Sequence, residues 1–316
     1  MNIVLTEPLG ISAEKLAALS DSLTGLGHSF VSCNEPAADE AELLLRVKDA
    51  DILIIANHPL PAGVIREASR LKFISVAFVG IDHVGLDECA ARSIQISNTG
   101  GYCTDAVAEL SVSLALACLR NLCACDRSVQ SCGGKAGLQG NELRGRTVGI
   151  IGTGAIGCQT AALFRAFGCR LIGWSRTQRQ EALDLGLTYL PLERVMAEAD
   201  IVSIHTPLTP DTRGLIGEAE IAAMKPGAVL INTARGPIVD TEALAAALSD
   251  NRIKAGIDVY ESDPPLPHSH PLLGVPNLIC TPHIGFDTAE SIERRADMAF
   301  ENVLMWLEGH PVRIML

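Results

Sequence analysis

The chain is 316 residues long, enough for two domains at about 150 residues each. Its 25 Lys and Arg against 37 Asp and Glu leave a formal charge of −12, which argues against nucleic acid or an anionic membrane surface as a partner. With 48% hydrophobic and 20% charged residues the composition is far from that of disordered chains, and with only 4% aromatics its core must be aliphatic, as where helices lie on a parallel sheet.

The N-terminus, MNIVLTEPLG, opens on a strand-like run without the basic start and long apolar core of a signal peptide. Short apolar runs at 2–5, 28–32, 51–56, 72–77 and 94–97 alternate with helical patterns, the rhythm of a doubly wound sheet. The apolar stretch 106–119 contains Glu109 and falls short of the roughly 20 residues that cross a bilayer, so it reads as a buried helix. Ten cysteines include Cys118, Cys123, Cys125 and Cys132 close together but form no CxxC pair. They read as buried, reduced thiols that bind no metal and suit the cytoplasm.

A second alternation starts at TVGII and runs through 170–174, 201–205, 228–233, 255–259 and 278–281. The expected fold is therefore α/β, with two doubly wound, Rossmann-like parallel-sheet domains. The stretch PPLPHSHPLLGVP is too proline-rich for a regular element, and its His268 and His270 read as solvated. Residues 287–308 read as one helix capped by Asp287 or Thr288, with Ala289, Ile292, Ala296, Phe300 and Val303 near helical spacing. Its expected partner is the first sheet.

Directly after TVGII comes GTGAIG, comprising Gly152, Gly154, Ala155, Ile156 and Gly157, and then a helical run. Strand, helix and spacing together mark a dinucleotide turn. Its first glycine permits the tight bend, the second lets the backbone approach a pyrophosphate, and the third lets helix and strand pack closely. The free amides of the helix N-terminus face the phosphates. The next strand ends in Ser175, Arg176 and Thr177, where such folds usually carry an acid for the adenosine ribose. A guanidinium with two hydroxyls attracts a 2′-phosphate, which favours NADP, with NAD as the alternative.

Three later strands are each followed by a chemically capable residue: Arg235 in INTARGPIVD; Asp258, Glu261 and Asp263 in GIDVYESDPPLP; and His283 in TPHIG. In open α/β sheets these carboxyl ends are where ligands bind. Such a trio suits reduction of a keto acid: the Arg fork holds a carboxylate and polarises a carbonyl, the His passes a proton to oxygen, and an acid orients the imidazole and favours its cation.

These segments, with SVAFVGIDHV, NTGGYCTDAVAE and HTPLTPDTRGLI, resemble the D-isomer-specific 2-hydroxy acid dehydrogenases over nearly the whole chain. The resemblance implies a substrate domain split between the chain ends (1–98 and 286–316), an inserted nucleotide domain (99–285), an active-site cleft at their junction and a homodimer. It implies Arg235 and His283 as catalytic residues with Asp263 as the partner acid. Backbone amides at Val79 and Gly80 are expected on the substrate carboxylate, with Tyr102 nearby. Asp258 is expected beside the nicotinamide, and His205, Thr206, Pro207, Thr233, Ala234, His283 and Gly285 complete the cofactor contacts. Two departures stand out. The family usually has Glu where this chain has Asp263, a reach shorter by about 1.5 Å, one C–C bond, so that Glu261 is the other candidate acid. It commonly has Pro where this chain has Gly100, which adds backbone freedom.

The implied activity is NAD(P)H-dependent reduction of a small 2-keto acid, such as glyoxylate or hydroxypyruvate, to the D-2-hydroxy acid. The alternatives are a minimal D-3-phosphoglycerate dehydrogenase and a non-enzymatic, NAD(H)-sensing protein like the corepressors that share this fold.

Overall fold

Short aliphatic runs fold, in a computed structural model describing residues 1–316, into two parallel sheets. One unit comprises Met1–Cys103 with Thr288–Leu316 and the other Thr104–Asp287. In the first, β1 (Asn2–Leu5), α1 (Ala13–Thr24), β2 (Ser29–Ser32), α2 (Glu40–Val47), β3 (Ile52–Ile55), α3 (Ala62–Glu67), β4 (Phe73–Val76), α4 (Leu86–Ala91) and β5 (Gln95–Ser97) follow one another. The strands lie in the order β2-β1-β3-β4-β5, all parallel. Inner strands β3 and β4 are buried at every residue, hence their unbroken apolar sequences, whereas β2 at the edge exposes Ser29 and Val31. Ser12 and Asp39 cap α1 and α2 by accepting the amides of Lys15 and Glu42, each cap contributing about 1 kcal/mol.

The second unit runs α5 (Thr104–Leu119), α6 (Leu122–Gln130), β6 (Thr147–Ile151), α7 (Ala155–Ala166), β7 (Arg170–Trp174), α8 (Gln180–Asp184), β8 (Thr188–Tyr189), α9 (Leu192–Glu198), β9 (Ile201–Ile204), α10 (Glu218–Ala223), β10 (Val229–Asn232), α11 (Thr241–Ser249), β11 (Lys254–Ile257) and β12 (Leu278–Cys280). Its parallel order is β12-β11-β10-β9-β6-β7-β8, so the winding reverses at β6. Helix α5 buries Ala108, Ala115 and Cys118 and closes on β11 at Gly256, where a Cβ would lie 2.8 Å from that of Leu114. No single helix is long and apolar enough to cross a membrane. The two-residue strand β8 was not expected from sequence.

The chain then returns to the first unit as α12 (Ala289–Leu307), capped by Thr288. Ala296, Ala299, Phe300 and Val303 join Ile52 and Phe73 in one core, and losing a buried ring such as Phe300 would cost about 3–5 kcal/mol. Fully buried Asn302 donates to Asn98 O at 2.9 Å. The chain end covers the free edge of β5, with Met315 N donating to Ile96 O.

Two expectations need correction. Of the ten free cysteines only Cys89, Cys103 and Cys118 are buried, while Cys123, Cys132 and Cys280 are exposed; Cys123 lies on α6, which buries no residue. His270 is not solvated: its ring packs edge-on to Tyr260 and meets Glu261 at 3.1 Å, leaving the side chain 8% exposed. His268 is exposed.

Candidate active site

Strand register lines up the candidate residues along the carboxyl edge of the second unit's sheet. Ile151 pairs with Trp174 and Ile204, Asn232 with Ile204 and Ile257, and Ile257 with Cys280. The segments after β7, β6, β9, β10, β11 and β12 therefore emerge side by side. They carry, in that order, Ser175–Thr177, Gly152–Gly157, His205–Pro207, Thr233–Arg235, Asp258 with Asp263, and His283 with Gly285. The turn after β6 stands where the strand order reverses, the place open α/β sheets take ligands.

Each glycine of that turn has its own reason. Gly152 has φ +94°, and a Cβ there would lie 2.8 Å from His205 backbone atoms. A Cβ on Gly157 would meet Gly152 O at 2.0 Å, so only glycine lets α7 close on the turn. Around a Cβ on Gly154, by contrast, nothing lies within 4 Å. The residue at the start of α7 thus faces open space, which fits a pyrophosphate against the helix N-terminus, with Ala155 and Ile156 supplying the first helical amides. Thr153 Oγ1 meets Tyr189 Oη at 2.7 Å, and that hydroxyl accepts the Arg179 amide at 2.9 Å. The turn is thereby tied to the loop carrying half-buried Ser175 and exposed Arg176 and Thr177. Sequence reasoning missed Tyr189 because a two-residue strand leaves no periodic signal.

After β9, His205 Nε2 lies 2.8 Å from Ser203 Oγ, and burial pushes the imidazole down to about 3, so it is neutral at ordinary pH. The Thr206 hydroxyl is buried without a hydrogen bond, a polar atom available to a ligand, while Pro207 is exposed. After β10, buried Asn232 clasps its own turn: Oδ1 accepts the Ala234 amide at 3.0 Å and Nδ2 donates to Arg235 O at 2.9 Å. Thr233 Oγ1 meets Ser111 Oγ at 2.8 Å. Gly236 follows because a Cβ there would lie 2.1 Å from Tyr260 backbone.

The remaining elements hold His283. Asp258, 0% exposed, accepts Thr281 Oγ1 (2.6 Å) and the Ile284 amide (2.9 Å) on Oδ1, and the Gly285 amide (2.8 Å) on Oδ2. His283 takes a left-handed φ of +61°, and its Nδ1 lies 2.8 Å from Asp263 Oδ1. The shorter acid reaches the imidazole. Glu261 faces elsewhere, accepting Thr241 Oγ1 and pairing with His270 Nε2. Burial opposes its ionisation, but those hydrogen bonds outweigh it and hold its carboxyl below the usual range.

In the first unit, Val79 and Gly80 lie half-buried past β4. Asn98 Nδ2 donates to Val79 O at 2.7 Å, while neither amide donates a hydrogen bond within the protein. Tyr102 is 1% exposed, with its ring 6.4 Å from that of Phe78. Burial pushes its hydroxyl well above the usual range, so it serves as a neutral group. Gly100 has a use beyond freedom: its amide donates to Asn98 Oδ1 at 3.1 Å, a bond proline could not make.

Residues 112–285 match the model of the D-isomer-specific 2-hydroxyacid dehydrogenase NAD-binding domain. The chain is 38% identical over 279 residues to a glyoxylate reductase of Thermofilum pendens, covering 85% of this chain and 81% of that protein. It is 35% identical over 260 residues to a hydroxypyruvate reductase of Thermotoga maritima, covering 81% and 84%. Among solved structures, an acyclic imino acid reductase in complex with NADPH and D-Arg superposes with a TM-score of 0.90 at 27% identity, covering 100% of both chains.

Proposed function

Because the chain belongs to the D-isomer-specific 2-hydroxyacid dehydrogenase family, we propose that it reduces a small 2-keto acid such as glyoxylate or hydroxypyruvate to the D-2-hydroxy acid, using a nicotinamide cofactor. The observation that carries this reading is the order along one sheet edge, from the open glycine turn to Arg235 and the Asp263–His283 pair.

Gly152, Gly154, Ala155, Ile156 and Gly157 would hold the dinucleotide phosphates. Ser175, Arg176 and Thr177 would hold the adenosine ribose, and His205, Thr206, Pro207, Thr233, Ala234, Asp258 and Gly285 would border the rest. A bound nicotinamide supplies the hydride. Arg235 offers a charged fork for the substrate carboxylate and carbonyl oxygen. His283 holds the proton that the oxygen takes as carbon is reduced, and Asp263 keeps the imidazole oriented. In the first unit, the undonated amides of Val79 and Gly80 suit a carboxylate, with Tyr102 nearby. We read that unit as the substrate domain and the second as the nucleotide domain.

Arg176, exposed and without a neighbouring acid at the end of β7, favours NADP over NAD. Helix α6, which buries nothing and leaves Leu122 and Val129 52% and 69% exposed, supports a homodimer, which light scattering on the eluting protein would test. The exposed thiols suit a reducing compartment such as the cytoplasm.

The testing experiment follows NADPH and NADH absorbance with glyoxylate, hydroxypyruvate and pyruvate. Keto-acid-dependent oxidation supports the reductase. Tight cofactor binding without turnover of any keto acid would favour the sensing protein instead.

A further inference from the structure

Glu7 takes no part in the chemistry above, yet the residue is 3% exposed. Buried carboxylates need donors, and all of this one's come from the loop after β3. Oε1 accepts the amides of Ala56 at 2.8 Å and His58 at 3.4 Å, while Oε2 meets His58 Nδ1. The His58 side chain is 55% exposed. Its ring is therefore fixed through one nitrogen, and Nε2 remains without a partner. This second carboxylate–imidazole pair lies on the carboxyl edge of the first unit's sheet.

Register puts the pair beside the loop read as the carboxylate site. Strands β3 and β4 are neighbours, Ile55 pairs with Val76, and Ala77 N donates to Ile55 O at 2.7 Å. His58 stands as far past the end of β3 as Val79 stands past β4. Further out the two loops are joined, with Leu60 N donating to His83 O at 3.0 Å and Gly85 N to Leu60 O at 2.9 Å. A small acid whose carboxylate is held at Val79 and Gly80 would direct its other end along this edge.

The surrounding charge decides what that other end can be. A cavity of about 250 Å3 borders the pair, and Glu7, Asp39 and Glu40 stand on its wall. Glu7 already occupies Nδ1 of His58, and a second carboxylate would meet the negative charge of that wall, whereas a neutral hydroxyl could accept from Nε2 or donate to it. Resting on the reductase reading, we infer that His58, held by Glu7, recognises a hydroxyl on the carbon next to the keto group. The substrate class is then a 3-hydroxy-2-keto acid. His58 is the specificity-determining residue and Glu7 a positioning residue.

Hydroxypyruvate and pyruvate differ only in that hydroxyl, so the test compares their kcat/KM values in the wild type, His58→Ala, His58→Gln and Glu7→Gln. The wild type should prefer hydroxypyruvate by about tenfold or more, since a donor built for a hydroxyl discriminates strongly against its absence. His58→Ala should lower the ratio by at least about fivefold, chiefly through the KM for hydroxypyruvate. His58→Gln should keep part of the preference, and Glu7→Gln should lower the ratio through KM with the ring freed. Retained turnover with a smaller fall than that in His58→Ala overturns this assignment alone. Failure of the wild type to reduce any of these acids overturns the reductase reading with it.

Discussion

Asp258 Oδ2 accepts the Gly285 amide at 2.8 Å, and a side chain on Gly285 would strike that same oxygen at 2.9 Å. All three donors to this buried carboxylate come from the turn that carries His283. That turn needs them, because His283 sits at φ +61°, a conformation costing a non-glycine residue about 1–2 kcal/mol. Asp258→Asn sets an amide against backbone donors and should remove about 1–3 kcal/mol of stability, together with most turnover. Denaturant unfolding and kcat, measured on the same preparation, check both. Unchanged values would mean that the turn holds itself.

The Asp263–His283 contact predicts which of two acids matters. In reduction the imidazole must be held so that its proton passes to the carbonyl oxygen, and Asp263 on Nδ1 fixes that orientation. Asp263→Asn should lower kcat by about tenfold or more, while Glu261→Gln, whose carboxylate serves Thr241 and His270, should leave kcat in place. Keto acid KM should change much less than kcat, because Arg235 is untouched. A loss of kcat from Glu261→Gln alone would reassign the acid.

Arg176→Ala should lower the ratio of kcat/KM for NADPH over NADH by tenfold or more. That corresponds to about 1.4 kcal/mol, within the range of one charge-assisted phosphate contact. An unchanged ratio would leave Arg176 an ordinary surface charge.

His205 gives a stability test independent of activity. Burial holds its imidazole down at about 3 in the folded protein, against about 6.5 when unfolded. Below the higher value the unfolded chain binds a proton that the folded one refuses, so stability falls as pH drops from about 6.5 towards 3, by up to about 1.4 kcal/mol per pH unit. His205→Asn should lessen that slope in urea melts between neutral pH and about pH 4. An identical slope would place the acid sensitivity in other groups.

Strand positions and the glycine turn were legible because each depends on local pattern. The runs ILII and FISV can be little but buried strands, and Gly152, Gly154 and Gly157 are spaced for a turn whose geometry requires them. What escaped depends on contacts across the chain. Glu7 and His58 are 51 residues apart, and neither has a local signature. Glu261 and Asp263 are equivalent acids in the sequence until Thr241 and His270 are seen to occupy the first. Cys123 and Cys132 look like core residues by type, yet Cys123 lies on α6, which buries no residue, and Cys132 is exposed past its end.

The most direct test of the central claim is the stoichiometry and handedness of the product formed from hydroxypyruvate, read by chiral chromatography against NADPH consumed, with His283→Asn alongside the wild type. One D-hydroxy acid per cofactor oxidised, with turnover in the variant reduced by about two orders of magnitude or more, is the result this account predicts. Cofactor oxidation without a hydroxy acid product, product of the L form, or full turnover by His283→Asn would contradict it.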